Sequence, residues 1–91
     1  MSDLEARFKT ASDESVKLSK APDTATKLKM YALFKQGSEG DVQGARPGFT
    51  DLIARTKYDE WAKLKGTSKD EAMQKYIDLV ESLKQELGYA G

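Results

Sequence analysis

Apolar positions recur at helical spacing in four separate stretches of the chain. Each residue of a helix turns roughly 100°, so a stripe at i, i+3, i+4 and i+7 marks one buried face. The first stripe is Leu4, Phe8, Ala11, Ser15 and Leu18, behind a Ser2-x-x-Glu5 capping box that satisfies the exposed N–H groups of a helix start. Lys17 and Lys20 close it with the charge that favours a helix C-terminus. Ser15 is the odd member, and Val16 points about 100° away from the stripe. Three readings stand: a partly polar groove at Ser15, a slip of register, or a tolerated small residue at a helix edge.

Ala21-Pro22-Asp23-Thr24 breaks the pattern, with Pro22 ending the first helix and Asp23 able to cap the second. The second helix is predicted from Thr24 to Gln36. Its central run, Met30 to Gln36, has two faces. Met30, Leu33 and Phe34 fall on one side, while Leu28, Tyr31 and Lys35 fall nearly opposite. A small domain needs one apolar face for its core. The second face is aromatic and basic, with Tyr31 and Lys35 adjacent at i, i+4.

Gly37, Gly40, Gly44 and Pro47-Gly48 then predict a loop from Gly37 to Asp51, carrying Glu39, Asp41 and Arg46. Loops of this length in compact domains are usually functional or folded on themselves. The third helix begins at Leu52 and Ile53, runs through Tyr58, Trp61, Ala62 and Leu64, and is predicted to stop at Gly66. A Ser68-x-x-Glu71 box opens the fourth. Its stripe is Met73, Tyr76, Ile77, Val80, Leu83 and Leu87, and Gly88 ends it. With no strand signal, the residues predict an all-α four-helix bundle. The long second connection leaves room for a crossover, so the helix order stays open at this level.

Composition narrows the chemistry. The chain has 91 residues, enough for one small domain covering residues 1–91 with a modest core. Fifteen basic residues balance 15 acidic ones, which removes the case for general attraction to nucleic acid or membranes. Cys and His are both absent, which excludes disulfides, zinc sites and Cys/His or Ser/His nucleophile pairs. No cofactor or metal is expected. No run approaches the roughly 18 apolar residues of a membrane helix. The first residues lack the basic start and apolar middle of a signal peptide, so a cytoplasmic location is expected.

The candidate chemistry is therefore binding. Tyr31 and Lys35 read either as a surface Tyr beside a solvated Lys, or as a clamp for an aromatic ligand bearing phosphate. Lys57 and Tyr76 repeat the same pair of side-chain types. Taken singly, Lys57 reads as a surface charge pairing with Glu60 at i, i+3, and Tyr76 as a residue at the core boundary. Trp61 reads as core. Adjacent carboxylates such as Asp59/Glu60 and Asp70/Glu71 do not face each other on a helix, and read as capping or surface charge.

Several linked motifs resemble the acyl-CoA-binding protein family. They are Tyr31-Ala32-Leu33-Phe34-Lys35-Gln36, Gly40-Asp41, Arg46-Pro47-Gly48, Lys57-Tyr58-Asp59-Glu60-Trp61, Leu64-Lys65-Gly66-Thr67-Ser68, and Ala72 through Tyr76-Ile77, in order and with matching spacing. The resemblance implies an up-down-down-up bundle and a non-enzymatic carrier of medium- to long-chain acyl-CoA esters, and a monomer is expected because no strong self-association stripe is left once the core is assigned. It implies Tyr31 at the adenine, Lys35 and Lys57 at the CoA phosphates, notably the 3′-phosphate, and Tyr76 lining the nucleotide site. Leu28 would line the acyl groove, and Ala32 would allow close approach. Stable membrane insertion and nucleic-acid binding are not implied, while transient contact with enzymes that use acyl-CoA is. The chain leaves the family pattern at Val16, where a Lys is usual, and at Lys27, where an apolar residue is usual. Ile53, Gly37 and Glu39 also depart from it. The competing class is a helical protein-interaction module using the same groove; an enzyme on CoA esters lacks an activated nucleophile or base.

Overall fold

The structure, a computed structural model, describes residues 3–89. Among them are four helices: α1 (Asp3–Ser15), α2 (Thr24–Glu39), α3 (Leu52–Ala62) and α4 (Lys69–Leu87). The N-terminal caps predicted from sequence are formed. Asp23 Oδ1 accepts from the Thr26 N–H at 2.8 Å, and Ser68 Oγ accepts from the Glu71 N–H at 3.0 Å. Asp51 does the same for α3, accepting from Ala54 N–H at 3.1 Å. Each satisfies one of the N–H groups that a helix start leaves open. Ser2, the first residue of the predicted N-terminal box, lies outside the described residues.

Three boundaries differ from the sequence pattern. α1 ends at Ser15, so Lys17 and Lys20 lie beyond its last turn. Leu18, expected on the α1 stripe, instead pairs with Tyr89 in an isolated bridge, with Ser19 N–H donating to the Gly88 carbonyl at 2.9 Å. α2 continues past Gln36 to Glu39. Gly37 is inside it because Phe8 and Met73 close over that position; a Cβ there would lie 3.1 Å from both side chains. α3 stops at Ala62, capped by Lys63, rather than running to Gly66.

The side-chain contacts fix the direction of each helix. Phe8 meets Phe34 and the Gly37 position, while Ser12 and Ser15 share a concavity with Met30 and Tyr31. α1 and α2 are therefore antiparallel. Lys57 stands over Tyr31, and Trp61 bonds Gln36, so α2 and α3 run parallel. Phe8 packs on Tyr76, and Glu14 pairs with Lys84, so α4 runs parallel to α1. The order is up-down-down-up. α4 packs on α1 and α2, and α3 packs on α2. The core is Phe8, Ala11, Leu33, Met73, Tyr76, Ile77 and Val80, the α4 stripe read from the sequence meeting α1 and α2.

Two parallel helices need a long connection, and the segment after Gly40 supplies it. It is anchored by a buried polar node. Gln36, fully buried, donates through Nε2 to Asp41 Oδ1 (2.9 Å) and to the Thr67 carbonyl (2.8 Å). Its Oε1 accepts from Trp61 Nε1 at 3.1 Å, which also donates to the Gly40 carbonyl at 2.9 Å. Asp41 Oδ1 accepts from the Gly66 N–H at 2.9 Å. Further along, Arg46 forks onto Asp59 at 2.8 and 2.7 Å, and Tyr58 OH donates to the Gly44 carbonyl at 2.9 Å. Asp41 and Arg46 thus fasten the loop to the α3 end of the bundle.

Replacing Gln36 by Ala strips this node, leaving the Thr67 carbonyl without this donor and Asp41 with the Gly66 N–H alone. The expected loss is about 2–3 kcal/mol, read from urea unfolding by the fluorescence of Trp61. A change under 0.5 kcal/mol contradicts the node's role. The node also sets a pH dependence. The Gly66 N–H, then Gln36, holds the Asp41 carboxyl below its ordinary value of 3.8. A depressed folded-state value contributes stability above the unfolded value that is lost as pH falls through the folded one. The stability difference between the native chain and Asp41→Asn is expected to be constant near neutrality and to shrink as pH drops below 3.8. A difference that stays level down to pH ~2 would contradict it.

Candidate functional site

The parallel pairing of α2 and α3 brings separated cations onto one aromatic seam. Lys57 Nζ lies 5.4 Å from the Tyr31 ring centroid, and Lys35 Nζ lies 5.0 Å from that of Trp61. Both distances fall within the range where a ring face attracts an ammonium group. Lys35 is also ion-paired with Glu39, one turn further along α2. That hydrogen bond raises the Lys35 value above its ordinary one, so the side chain is charged at neutral pH. Glu60 pairs with Lys63 at 2.8 Å, which leaves Lys57 on the Tyr31 face instead of in the i, i+3 pair that its spacing also allowed.

Tyr31 forms one wall of a concavity of about 320 Å³ between α1, α2 and α4. Phe34 and Tyr76 make its aromatic floor, with centroids 5.8 Å apart, and Phe8 lies beneath, stacked on Phe34 at 5.4 Å and edge-on to Tyr76 at 5.3 Å. Phe34, expected on the core face, is therefore shared between core and surface and is 36% exposed. Ser12, Ser15 and Lys27 give the concavity its polar side. Ser15 Oγ donates to the Ser12 carbonyl at 2.7 Å and faces the Tyr76 hydroxyl at 3.4 Å. Of the three readings of Ser15, the partly polar groove is the one formed.

A second, larger cavity of about 700 Å³ lies on the other side of α2, toward α3 and α4. Leu28, Ala32, Leu33, Leu64 and Leu79 line it, with Glu60, Asp78 and three Lys residues at its rim. The six residues singled out from sequence are thus divided. Tyr31 and Tyr76 share the small concavity, Lys57 stands over Tyr31, and Lys35 sits on the neighbouring Trp61. Leu28 and Ala32 line the larger cavity, where Ala32 is 3% exposed and serves as wall. Ser12, Phe34 and Lys27 were not among the six; their place becomes visible only once α1 is laid against α2. Val16 lines neither cavity and is 82% exposed.

This geometry coincides with a clear relationship. The profile of the Acyl CoA binding protein family matches residues 5–80. The acyl-CoA-binding protein homolog of Manduca sexta is 43% identical, over 93% of this chain and 96% of that protein. Enoyl-CoA delta isomerase 2 of Homo sapiens is 41% identical over 88% of this chain, but over only 20% of its own length. Acyl-CoA-binding protein 2 of Oryza sativa superposes with a TM-score of 0.87 at 36% identity, covering 91% of this chain and 92% of that one. The fold, the ordered motifs and these matches agree: the chain belongs to the acyl-CoA-binding protein family.

Proposed function

We propose that residues 1–91 form one acyl-CoA-binding domain that binds and carries medium- to long-chain acyl-CoA thioesters without catalysis, as a cytoplasmic monomer. The observation that carries this reading is Lys57 poised 5.4 Å over the Tyr31 ring, beside the concavity that Tyr31 shares with Tyr76. A purine needs a ring to stack on, and phosphate needs a nearby cation. In this reading Tyr31 stacks on the adenine, and Lys35 and Lys57 turn from their ring faces to the CoA phosphates. Tyr76 lines the nucleotide site. The acyl chain leaves across Leu28 toward the apolar side of α2, where Ala32 keeps the wall low. Each buried CH₂ contributes about 0.8 kcal/mol, so the tail supplies affinity while the nucleotide supplies specificity.

No step of catalysis is needed, and the chain has neither His nor Cys to supply one. The isomerase relative leaves the reading unchanged, because the match takes in 20% of that protein. Enzymes that use acyl-CoA are transient partners in this reading. A second reading, a helical protein-interaction module working through the same cleft, has one observation in its favour. Phe49, Leu52 and Ile53 are 82%, 66% and 73% exposed at the start of α3, and Ile53 lies one turn before Lys57 on the same helix face.

Calorimetry with palmitoyl-CoA, CoA and palmitate separates the two. Tight binding of the ester, weak binding of CoA and little heat from the acid are expected. Absence of binding to any acyl-CoA ester would overturn the carrier reading. Lys57→Ala is expected to lower ester affinity by about 1.5–3 kcal/mol, tenfold or more, with the fold unchanged by circular dichroism. An ester of dephospho-CoA binding as tightly as the CoA ester would remove the 3′-phosphate from the assignment.

A further inference from the structure

The small concavity contains a cation that the assignment above does not use. Lys27 is exposed, precedes Tyr31 by four residues on α2, and lines the same concavity. It differs from the two other Lys residues of the cleft in its partners. Lys35 is tied to Glu39 and rests on Trp61, and Lys57 rests on Tyr31. Lys27 has no side-chain partner among the described residues. The carboxylate one turn before it, Asp23, is occupied as the α2 cap, accepting from Thr26 N–H at 2.8 Å.

No carboxylate lines this concavity, whereas Glu60 and Asp78 both line the larger one. The remaining polar groups are hydroxyls. Ser15 spends its proton on the Ser12 carbonyl and holds the Tyr76 hydroxyl at 3.4 Å, so it positions. The Ser12 side chain has no partner among the described residues and is half-buried in the wall. An ammonium group and a free hydroxyl beside an aromatic floor, with no acid in the lining, are the donors that a phosphate oxygen takes.

We propose that Lys27 and Ser12 form an anion subsite that takes a phosphate group of the acyl-CoA nucleotide. This rests on the carrier reading and adds to it a third cation, placed on α2. Val16, just past the end of α1 and where the family usually carries a Lys, is apolar and turned to solvent. Val16 lines neither cavity, and Lys27 supplies a cation to the small one from α2.

The test is a titration of the native chain, Lys27→Met and Lys27→Arg with dodecanoyl-CoA across a range of salt. Lys27→Met keeps the length of the side chain and removes only its charge, and at an exposed position the fold stays intact. The expected result is an affinity lowered about tenfold, the scale of one charged hydrogen bond. The fall of affinity with salt becomes shallower, because one fewer charge is screened. Lys27→Arg retains most of the affinity, and Ser12→Ala weakens binding by a smaller factor. Unchanged or tighter binding by Lys27→Met overturns the subsite, and so does weaker binding with an unchanged salt dependence. If Lys57→Ala weakens binding while Lys27→Met does not, the carrier reading stands and the subsite falls. A native chain that binds no ester at all removes both.

Discussion

The structure depends on one side-chain amide. Gln36 is fully buried, and each of its three hydrogen bonds reaches a different segment: Trp61 of α3, Asp41 of the long connection and Thr67 of the turn before α4. A buried amide without partners is costly, so this one holds only where all three segments are in place. It therefore selects the parallel placement of α2 and α3 over an antiparallel one. That placement is what sets Lys57 on Tyr31 and Lys35 on Trp61. The site stands on residues that touch no ligand in the proposed reading.

The same placement explains how a chain of zero net charge gathers two Lys side chains on one aromatic seam. Charges elsewhere are paired across the surface: Arg46 with Asp59, Lys63 with Glu60, Lys75 with Glu71, and Lys84 with Glu14 and Glu81. Exposed pairs of this kind contribute little to stability. At the seam Lys35 is paired with Glu39, while Lys57 rests on Tyr31 and no carboxylate lines the concavity beside it. Ring faces hold Lys35 and Lys57 in place, Lys35 with the help of Glu39, which lowers the ordering cost of binding.

The helices themselves were legible because their signals were local. Asp23 and Ser68 cap as their types require, and Met73, Tyr76, Ile77, Val80 and Leu83 repeat at 3.6 spacing and are all buried. The misread boundaries have tertiary causes. Gly37 reads as a helix stop, but it is the one small position over which Phe8 and Met73 can close. Leu18 fits the α1 stripe, yet it leaves the helix to pair with Tyr89. Gln36 carried no signal of burial, because an amide is buried only when distant partners reach it. At the site, periodicity supplied Tyr31 and Lys35 as a second face. The pairing with Lys57 needs the helix order, which the motifs resembling a known family implied and spacing alone did not. Leu28 and Ala32, a few residues from Tyr31, turned out to line a different cavity, since neighbours on a helix diverge by large angles.

The central claim is that ligand seats on the Tyr31 and Tyr76 side of α2. Backbone amide shifts followed by NMR during titration with a long-chain acyl-CoA test it directly. The account predicts the largest changes at Ser12, Ser15, Lys27, Tyr31, Lys57 and Tyr76. Changes confined to Ala25, Lys29, Asp78 and Ser82, around the larger cavity on the far side of α2, would contradict it.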